Sequence, residues 1–433
     1  MGKKITSEPT IEHFFSSHNI AKEFQQISDL LDSIEGIYSD IAHLIGKPEE
    51  VRLGRTGMSI ESTVRCAILK HYWQLPYKAL AFHLLDSDTF RAFARLPMNF
   101  TPKSSTLQAN ISQLTEDIWR YLNHKILDIA VAKKVEKGRK VRIDTTAVET
   151  NIISPTDSHL LYTAICKGVK LLKASGNKYI NHKRKSKKLF NHIRNCKRKK
   201  EREGYYKQLL DYAGKTLGYL HIALQSEMSE YWQSSIHTLC QQLAGIISQS
   251  YRRVILGENV KPEEKVTSLH EPHTDIIRKG GRETVFGHKV NFVTGSSGMV
   301  LGVDILRGNP ADSTLLLPAL EEVIDVYKRS PRQIAADGGF ASLDNLKEAK
   351  NHGIKDIAFH KRCGLKVIDM CKSNWVYTQL IKFRAGIEGN ISFLKRVFGL
   401  NRCNWRGWDG FQSYVMSAVV TYNLVLLSRK LTE

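Results

Sequence analysis

The chain has 433 residues, room for roughly three domains at about 150 residues each. Its 42% hydrophobic share supports one large core or two, and a 25% charged share excludes wholesale disorder. Lys and Arg outnumber Asp and Glu by 64 to 43, giving a formal charge of +21, and a chain so basic is suited to a polyanion, either nucleic acid or an acidic membrane surface. No apolar run reaches the ~18 residues of a membrane span; the longest, near Val415 to Leu427, is interrupted by Ser417, Thr421, Tyr422 and Asn423. Met1 to Thr10 is polar and lacks the apolar stretch of an export signal, while Gly2 to Thr6 fits only the loose myristoylation pattern. The seven cysteines form no C-x-x-C pair, which speaks against a zinc cluster or a disulfide framework and fits a reducing interior. The expected location is the cytoplasm.

The first ~135 residues read as helices. Ser59 to Trp73 carries a helical apolar pattern broken by Leu75-Pro76, and Tyr77 to Leu85 and Asp88 to Leu96 follow, the second opened by Asp86-Ser87-Asp88. Pro102 to Ser105 starts another helix, its stripe continuing through Ile118, Leu122, Ile126 and Ile129. Short helices with tight turns suit a helix-turn-helix DNA-binding domain over residues 1–135 as well as they suit a plain helical bundle.

From Lys140 the texture changes. Val141 to Val148 reads as a strand; His288 to Thr294 and Met299 to Leu306 read as two more, joined by the hairpin signal Gly295-Ser-Ser-Gly298. A helix over Ala311 to Lys328, a strand at Gln333 to Ala336, a helix at Leu343 to Lys350, a strand at Asp356 to His360 and a long helix at Tyr377 to Phe398 complete the series. Three strands, helix, strand, helix, strand, helix is the order of a ribonuclease-H-like α/β core with a mixed five-stranded sheet, here residues 136–156 and 270–433.

Residues 157–269 form a basic helical insertion between the first two core strands. Lys167 to Lys207 holds sixteen Lys or Arg against two Glu, with aromatic residues interleaved. A solvated helix face would be the ordinary explanation, but the imbalance favours a surface that tracks a phosphate backbone, with Lys183, Arg184, Lys187, Lys188, Lys197 and Arg198 as candidate DNA contacts.

Three acids stand out. Asp144 lies inside an apolar strand, where an uncompensated charge is costly. Asp337 ends a strand ahead of Gly338-Gly339, where an open α/β sheet places ligands. Glu388 shares a helix face with Arg384 and Lys395, flanked by Gly386 and Gly389, which weaken a helix and so point to a close approach. Singly, each acid has a structural explanation; together, in this fold order, they read as a carboxylate set for Mg²⁺, with Mn²⁺ as a substitute. Two such ions about 4 Å apart can assist both oxygens of an in-line phosphoryl displacement. Arg384 and Lys395 would hold nearby phosphates.

The chain resembles bacterial insertion-sequence transposases of the DDE type, near insertion-sequence families four and five. The residues that carry the resemblance are Ile143-Asp-Thr-Thr-Ala-Val-Glu-Thr-Asn151, Gly287-His-Lys-Val-Asn291, Arg307-Gly-Asn-Pro-Ala-Asp312, Ala336-Asp-Gly-Gly-Phe340 and the Arg-x₃-Glu-x₆-Lys spacing of Arg384, Glu388 and Lys395. One departure is Ile381, where the family-four pattern has Tyr three residues before the Arg. The resemblance implies that Asp144, Asp337 and Glu388 are the catalytic, metal-binding triad. It also implies recognition of terminal inverted repeats, phosphodiester cleavage, transfer of the 3′-OH to target DNA, and a homodimer that joins two ends in a synaptic complex. A nuclease of the same fold without strand transfer, or a non-catalytic regulator derived from a transposase, are the alternatives. Lys289 and Asn309 are accessory DNA-binding candidates, although Asn309 and Asp312 equally suit caps of the next helix.

Overall fold

The computed structural model describes residues 15, 17–46, 57–97, 99–278, 284–361 and 363–432. The polar start and its myristoylation pattern lie outside them. Two compact units emerge, Met1–Glu149 with Lys289–Glu433, and Thr150–His288.

Among the described residues the first unit opens with seven helices: α1 (Asn19–Asp32), α2 (Ile37–Leu44), α3 (Ile60–Tyr72), α4 (Tyr77–Asp86), α5 (Asp88–Ala94), α6 (Ser104–Ile111) and α7 (Glu116–Ala132). Local signals set their starts: Ser59 accepts from the Ser62 N–H at the head of α3, and Ser87 accepts from Phe90 N–H at the head of α5. The stripe expected to run from Pro102 to Ile129 is split, with α6 ending at Ile111 and α7 starting at Glu116. Nearly all of α3 is buried, including Arg65, whose guanidinium bonds to Glu61, Asp32, Ser28 and the Phe93 carbonyl.

These helices share one continuous hydrophobic core with the strands and helices that follow. The boundary expected near residue 135 therefore falls inside a compact unit, because apolar faces of α1, α3 and α7 pack on the C-terminal helix instead of closing a core of their own.

The strands are β1 (Lys140–Glu149), β2 (Asp275–Arg278), β3 (Thr284–Thr294), β4 (Val300–Ile305), β5 (Gln333–Ala336) and β6 (Asp356–Phe359). They form a mixed sheet in the order β2-β3-β1-β5-β6, with β4 pairing β3. The sheet has six strands rather than the five expected; β2 is the addition, a four-residue Asp-Ile-Ile-Arg segment with a charged residue at each end. β1, β5 and β6 run parallel, with Ile143 opposite Ala336. In the first unit the sheet is accompanied by α12 (Leu316–Tyr327), α13 (Leu343–Asn351), the short α14 (Val367–Met370), α15 (Asn374–Val397) and α16 (Gly407–Thr432).

Helix α16 is long and apolar enough to cross a bilayer by length and composition, contrary to the sequence expectation, but 83% of its apolar window is buried inside the protein. Its interrupting polar residues are internal ties: Ser417 Oγ meets His71 Nε2 at 2.7 Å, and Asn423 bridges Asn123 and both backbone groups of Val300.

Among the described residues, the second unit packs the α-helices α8 (Asp157–Ala174), α9 (Lys183–Asn195), α10 (Lys199–Leu224) and α11 (Glu230–Ser250) around a separate core that includes Leu161, Ile165, Leu209, Leu220 and Leu243. Gly168 allows α8 to approach α10, since a Cβ there would stand 2.7 Å from the Thr216 methyl. The unit also takes in β2 and the start of β3, so it exceeds the expected 157–269 at both ends.

Candidate active site

Strand β1 is sheltered by its neighbours β3 and β5, which is why Val141, Ile143 and Val148 are buried. Its parallel register puts Asp144 beside the position just past Ala336, which is Asp337. β5 stops there, and residues 338–340 turn away in a 3-10 helix. Gly338 and Gly339 make that turn fit, because added Cβ atoms would stand 2.5 Å from Lys361 Cβ and 2.8 Å from an Asp312 carboxylate oxygen.

Helix α15 packs on β1, β5 and β6 through Leu380, Ile387, Ile391 and Leu394. That orientation sends the flanking face of Arg384 and Glu388 toward the two strand acids. Arg384 Nη2 lies 3.2 Å from Asp144 Oδ2 and 3.4 Å from Asp337 Oδ1, while Nη1 lies 2.9 Å from Glu388 Oε1. The three acids do meet, then, but around a guanidinium. Among the described residues no group of three His, Cys, Asp or Glu is arranged to hold a metal ion. The expected open cage for ions is instead closed by Arg384, because a fixed cation neutralises converging carboxylates at little conformational cost.

The donor chemistry nevertheless suits a hard divalent cation. All three groups offer carboxylate oxygens, and one guanidinium balances only one of their three charges. Asp144 is held by its own strand, its Oδ1 accepting from the Thr145 N–H at 2.8 Å. Asp337 and Glu388 remain open to solvent, with side chains 40% and 64% exposed. A cleft of about 370 Å³ runs along the site, bounded by Asp144, Thr146, Glu388, Lys395, Arg396 and Asn401.

The other expected residues are divided. Lys395 borders the cleft, its Nζ donating to the Ala147 carbonyl at 2.9 Å. Lys289 is tied inward, to the Pro310 carbonyl at 2.6 Å and to Asp312 at 2.9 Å. Asp312 also accepts from the Thr145 hydroxyl at 3.3 Å. Neither Asn309 nor Asp312 caps α12, whose N-cap is Leu315; Asn309 occupies a left-handed turn position at φ 47°, which Asn tolerates. In the second unit, Lys183, Arg184, Lys187 and Lys188 form the exposed face of α9, opposite its buried Leu189 and Ile193. Lys197 and Arg198 follow in the exposed turn, where Arg198 pairs with Glu201 at 2.8 Å.

Gly386 has a definite structural cause. Arg142, two residues before Asp144, sends its guanidinium across to α15, bonding Thr294, Asn390 and the Phe383 carbonyl. A Cβ on Gly386 would stand 2.0 Å from that guanidinium, whereas one on Gly389 would meet nothing within 4 Å. Burial lowers the pKa of Arg142 from its usual value, against the opposing influence of Tyr422 and Glu136. Two neighbours of the site escaped the sequence reading. Arg142 was legible only as a charge inside an apolar strand. His360, with Nδ1 3.8 Å from Asp337 Oδ1, follows β6 as Asp337 follows β5.

Residues 262–424 match the model of the family described as the transposase DDE domain. The match contains Asp337, Arg384 and Glu388 and leaves Asp144 outside. No curated protein and no solved structure matches the chain.

Proposed function

We propose, from the match of residues 262–424 to the transposase DDE domain and from the site's geometry, that the chain is an insertion-sequence transposase that cuts at terminal inverted repeats and joins the freed 3′ ends to target DNA. The observation that carries the proposal is the meeting of Asp144, Asp337 and Glu388, from two strands and a helix, within 3.4 Å of one guanidinium. The element sequence β1, β3, β4, α12, β5, α13, β6, α15 supports a ribonuclease-H-like core. The exposed face of α4, which includes Lys78 and Phe82, supports contact with DNA by the N-terminal helices.

In this reading Asp144, Asp337 and Glu388 would hold Mg²⁺, or Mn²⁺, as a pair of ions. When bound, the metal would supply Lewis-acid stabilisation of the charge that develops on the phosphate oxygens and would make the attacking oxygen easier to deprotonate. Arg384 keeps the acids together before loading, and its fork can then move to a substrate phosphate. In the first reaction a water oxygen forms a bond to phosphorus while the bond to the 3′ oxygen breaks, and the departing oxygen takes a proton. In the second, that 3′-OH attacks a target phosphodiester; one ester bond forms as another breaks, so no external energy source is needed. A dimer would bring two ends together.

Cleavage of a duplex carrying the element's end, in Mg²⁺ or Mn²⁺, tests the proposal. Asp144→Ala, Asp337→Ala and Glu388→Ala should each lower cutting by at least about a hundredfold, the scale of losing a principal charge-stabilising group. Equal cutting by Asp144→Ala would refute the triad. Cutting without joined products would leave a nuclease.

A further inference from the structure

A second cavity, of about 440 Å³, shares Lys395, Arg396 and Asn401 with the cleft beside Asp144 and Glu388. Its opposite wall is the last turn of α3 and the residues just past it, where Lys70 and Gln74 face the turn that links α15 to α16. Arg402 completes a lining that contains four cationic side chains and no carboxylate.

Lys70 is the unusual member. It is only 4% exposed, and among the described residues no acid or carbonyl bonds to its ammonium. Its contacts are the ring faces of Tyr77 at 4.9 Å and Trp405 at 5.7 Å. Such contacts offset part of the desolvation of a buried cation but supply no counter-charge. Burial accordingly pushes its pKa down to about 8.

The surroundings also remove groups that would repel an anion. The end of α15 presents the Arg396 and Val397 carbonyls, and the Gln74 side-chain amide donates to both at 2.8 Å. Gln74 does this from a left-handed backbone position, φ 50°, a strained choice for a residue with no glycine freedom. Gly399, at φ 71°, brings the following turn close, where a Cβ would lie 2.9 Å from the Tyr414 hydroxyl.

We propose that this cavity is a phosphate-binding subsite for the DNA backbone, taking a phosphate next to the phosphodiester that lies at Asp144 and Glu388. The inference rests on the transposase reading and extends its site onto the N-terminal helices. An acid-lined centre repels a polyanion, so neighbouring phosphates require cations close by. The shared Lys395 and Arg396 make the two cavities adjacent, and an oxyanion would give Lys70 the partner it lacks.

The test compares wild type with Lys70→Met for affinity to end-bearing duplex across a KCl series, and for thermal midpoint with and without inorganic phosphate. The variant should bind about tenfold more weakly at moderate salt, with a salt slope shallower by about 0.9, the share of one phosphate contact. Its midpoint without phosphate should be no lower than wild type, and phosphate should raise only the wild-type midpoint. An unchanged affinity and slope, in a preparation whose wild type cuts DNA, would overturn the subsite while the transposase reading stands. Wild type that neither binds nor cuts DNA would overturn both. Stabilisation by phosphate with an unchanged DNA slope would mark a free-phosphate site and refute the backbone assignment. Arg396→Ala, at an exposed position, should flatten the slope in the same way; failure to do so counts against the proposal even where Lys70→Met does not fold.

Discussion

Arg384 balances charges that would otherwise repel one another, so its removal should create a need that a divalent cation can meet. Arg384→Gln should lower metal-free stability by about 1–2 kcal/mol, a modest figure because Asp337 and Glu388 face solvent. Mn²⁺ should then raise the thermal midpoint of the variant more than that of wild type; an equal gain would mean that arginine and metal do not compete. The two glycines beside Glu388 give an internal control for the packing argument. Gly386→Ala forces a methyl onto the Arg142 guanidinium, which three hydrogen bonds hold in place, and should cost about 1–3 kcal/mol in urea unfolding. Gly389→Ala meets open space and should stabilise by up to about 1 kcal/mol through helix propensity alone. Two flexible residues next to an acid read identically in a sequence; only the chain that crosses above them separates a steric requirement from a tolerated gap.

Helix α12 is fastened to α7 and β4 by Arg120, which reaches Glu116, Glu322 and the Val303 carbonyl. Burial outweighs the attraction of Arg120 and pushes the Glu322 carboxyl up to about 7. With its folded pKa above the unfolded value, Glu322 favours the native state fully below about pH 4.5. That contribution, up to about 3 kcal/mol, is lost as pH rises toward 7. The stability of Glu322→Gln relative to wild type should therefore improve from pH 5 to pH 7.5 in denaturant titrations, and a pH-independent difference would contradict the assignment. Elements of this size were legible: β5 has the residues expected of it, and β1 and α15 differ only at their ends. Four-residue β2 was not, since its pairing with β3 comes from tertiary contact. Helix α16 was read as a broken apolar run because Ser417, Thr421 and Asn423 look solvent-seeking. Their internal partners reverse that meaning.

Across the full chain, the densest run of positive charge, Lys167 to Lys207, lies in the second unit, whereas the candidate acids lie in the first. The exposed face of α9 keeps its cations together only because Leu189 and Ile193 anchor the helix to the second core. Changing Lys183, Lys187 and Lys188 to Gln should weaken DNA binding and flatten its salt dependence by up to about 0.9 for each phosphate no longer neutralised, measured by filter or anisotropy titration. An unaltered slope would make this face a solvated surface. The candidate acids could be picked out from local sequence, since each interrupts its surroundings. The cation among them could not, because Arg384 reads equally well as a phosphate ligand until its contacts with Asp144 and Asp337 are seen. A division was drawn at residue 135 for a related reason: helical periodicity reveals an apolar face without revealing which core receives it. The most direct test of the central claim is a crystal structure of the chain with end DNA and Mn²⁺, with the ions located by anomalous scattering. The account predicts metal bound by Asp144, Asp337 and Glu388, with Arg384 turned toward a phosphate; a guanidinium still enclosed by the three acids, with no metal among them in a complex competent to cut, would contradict it.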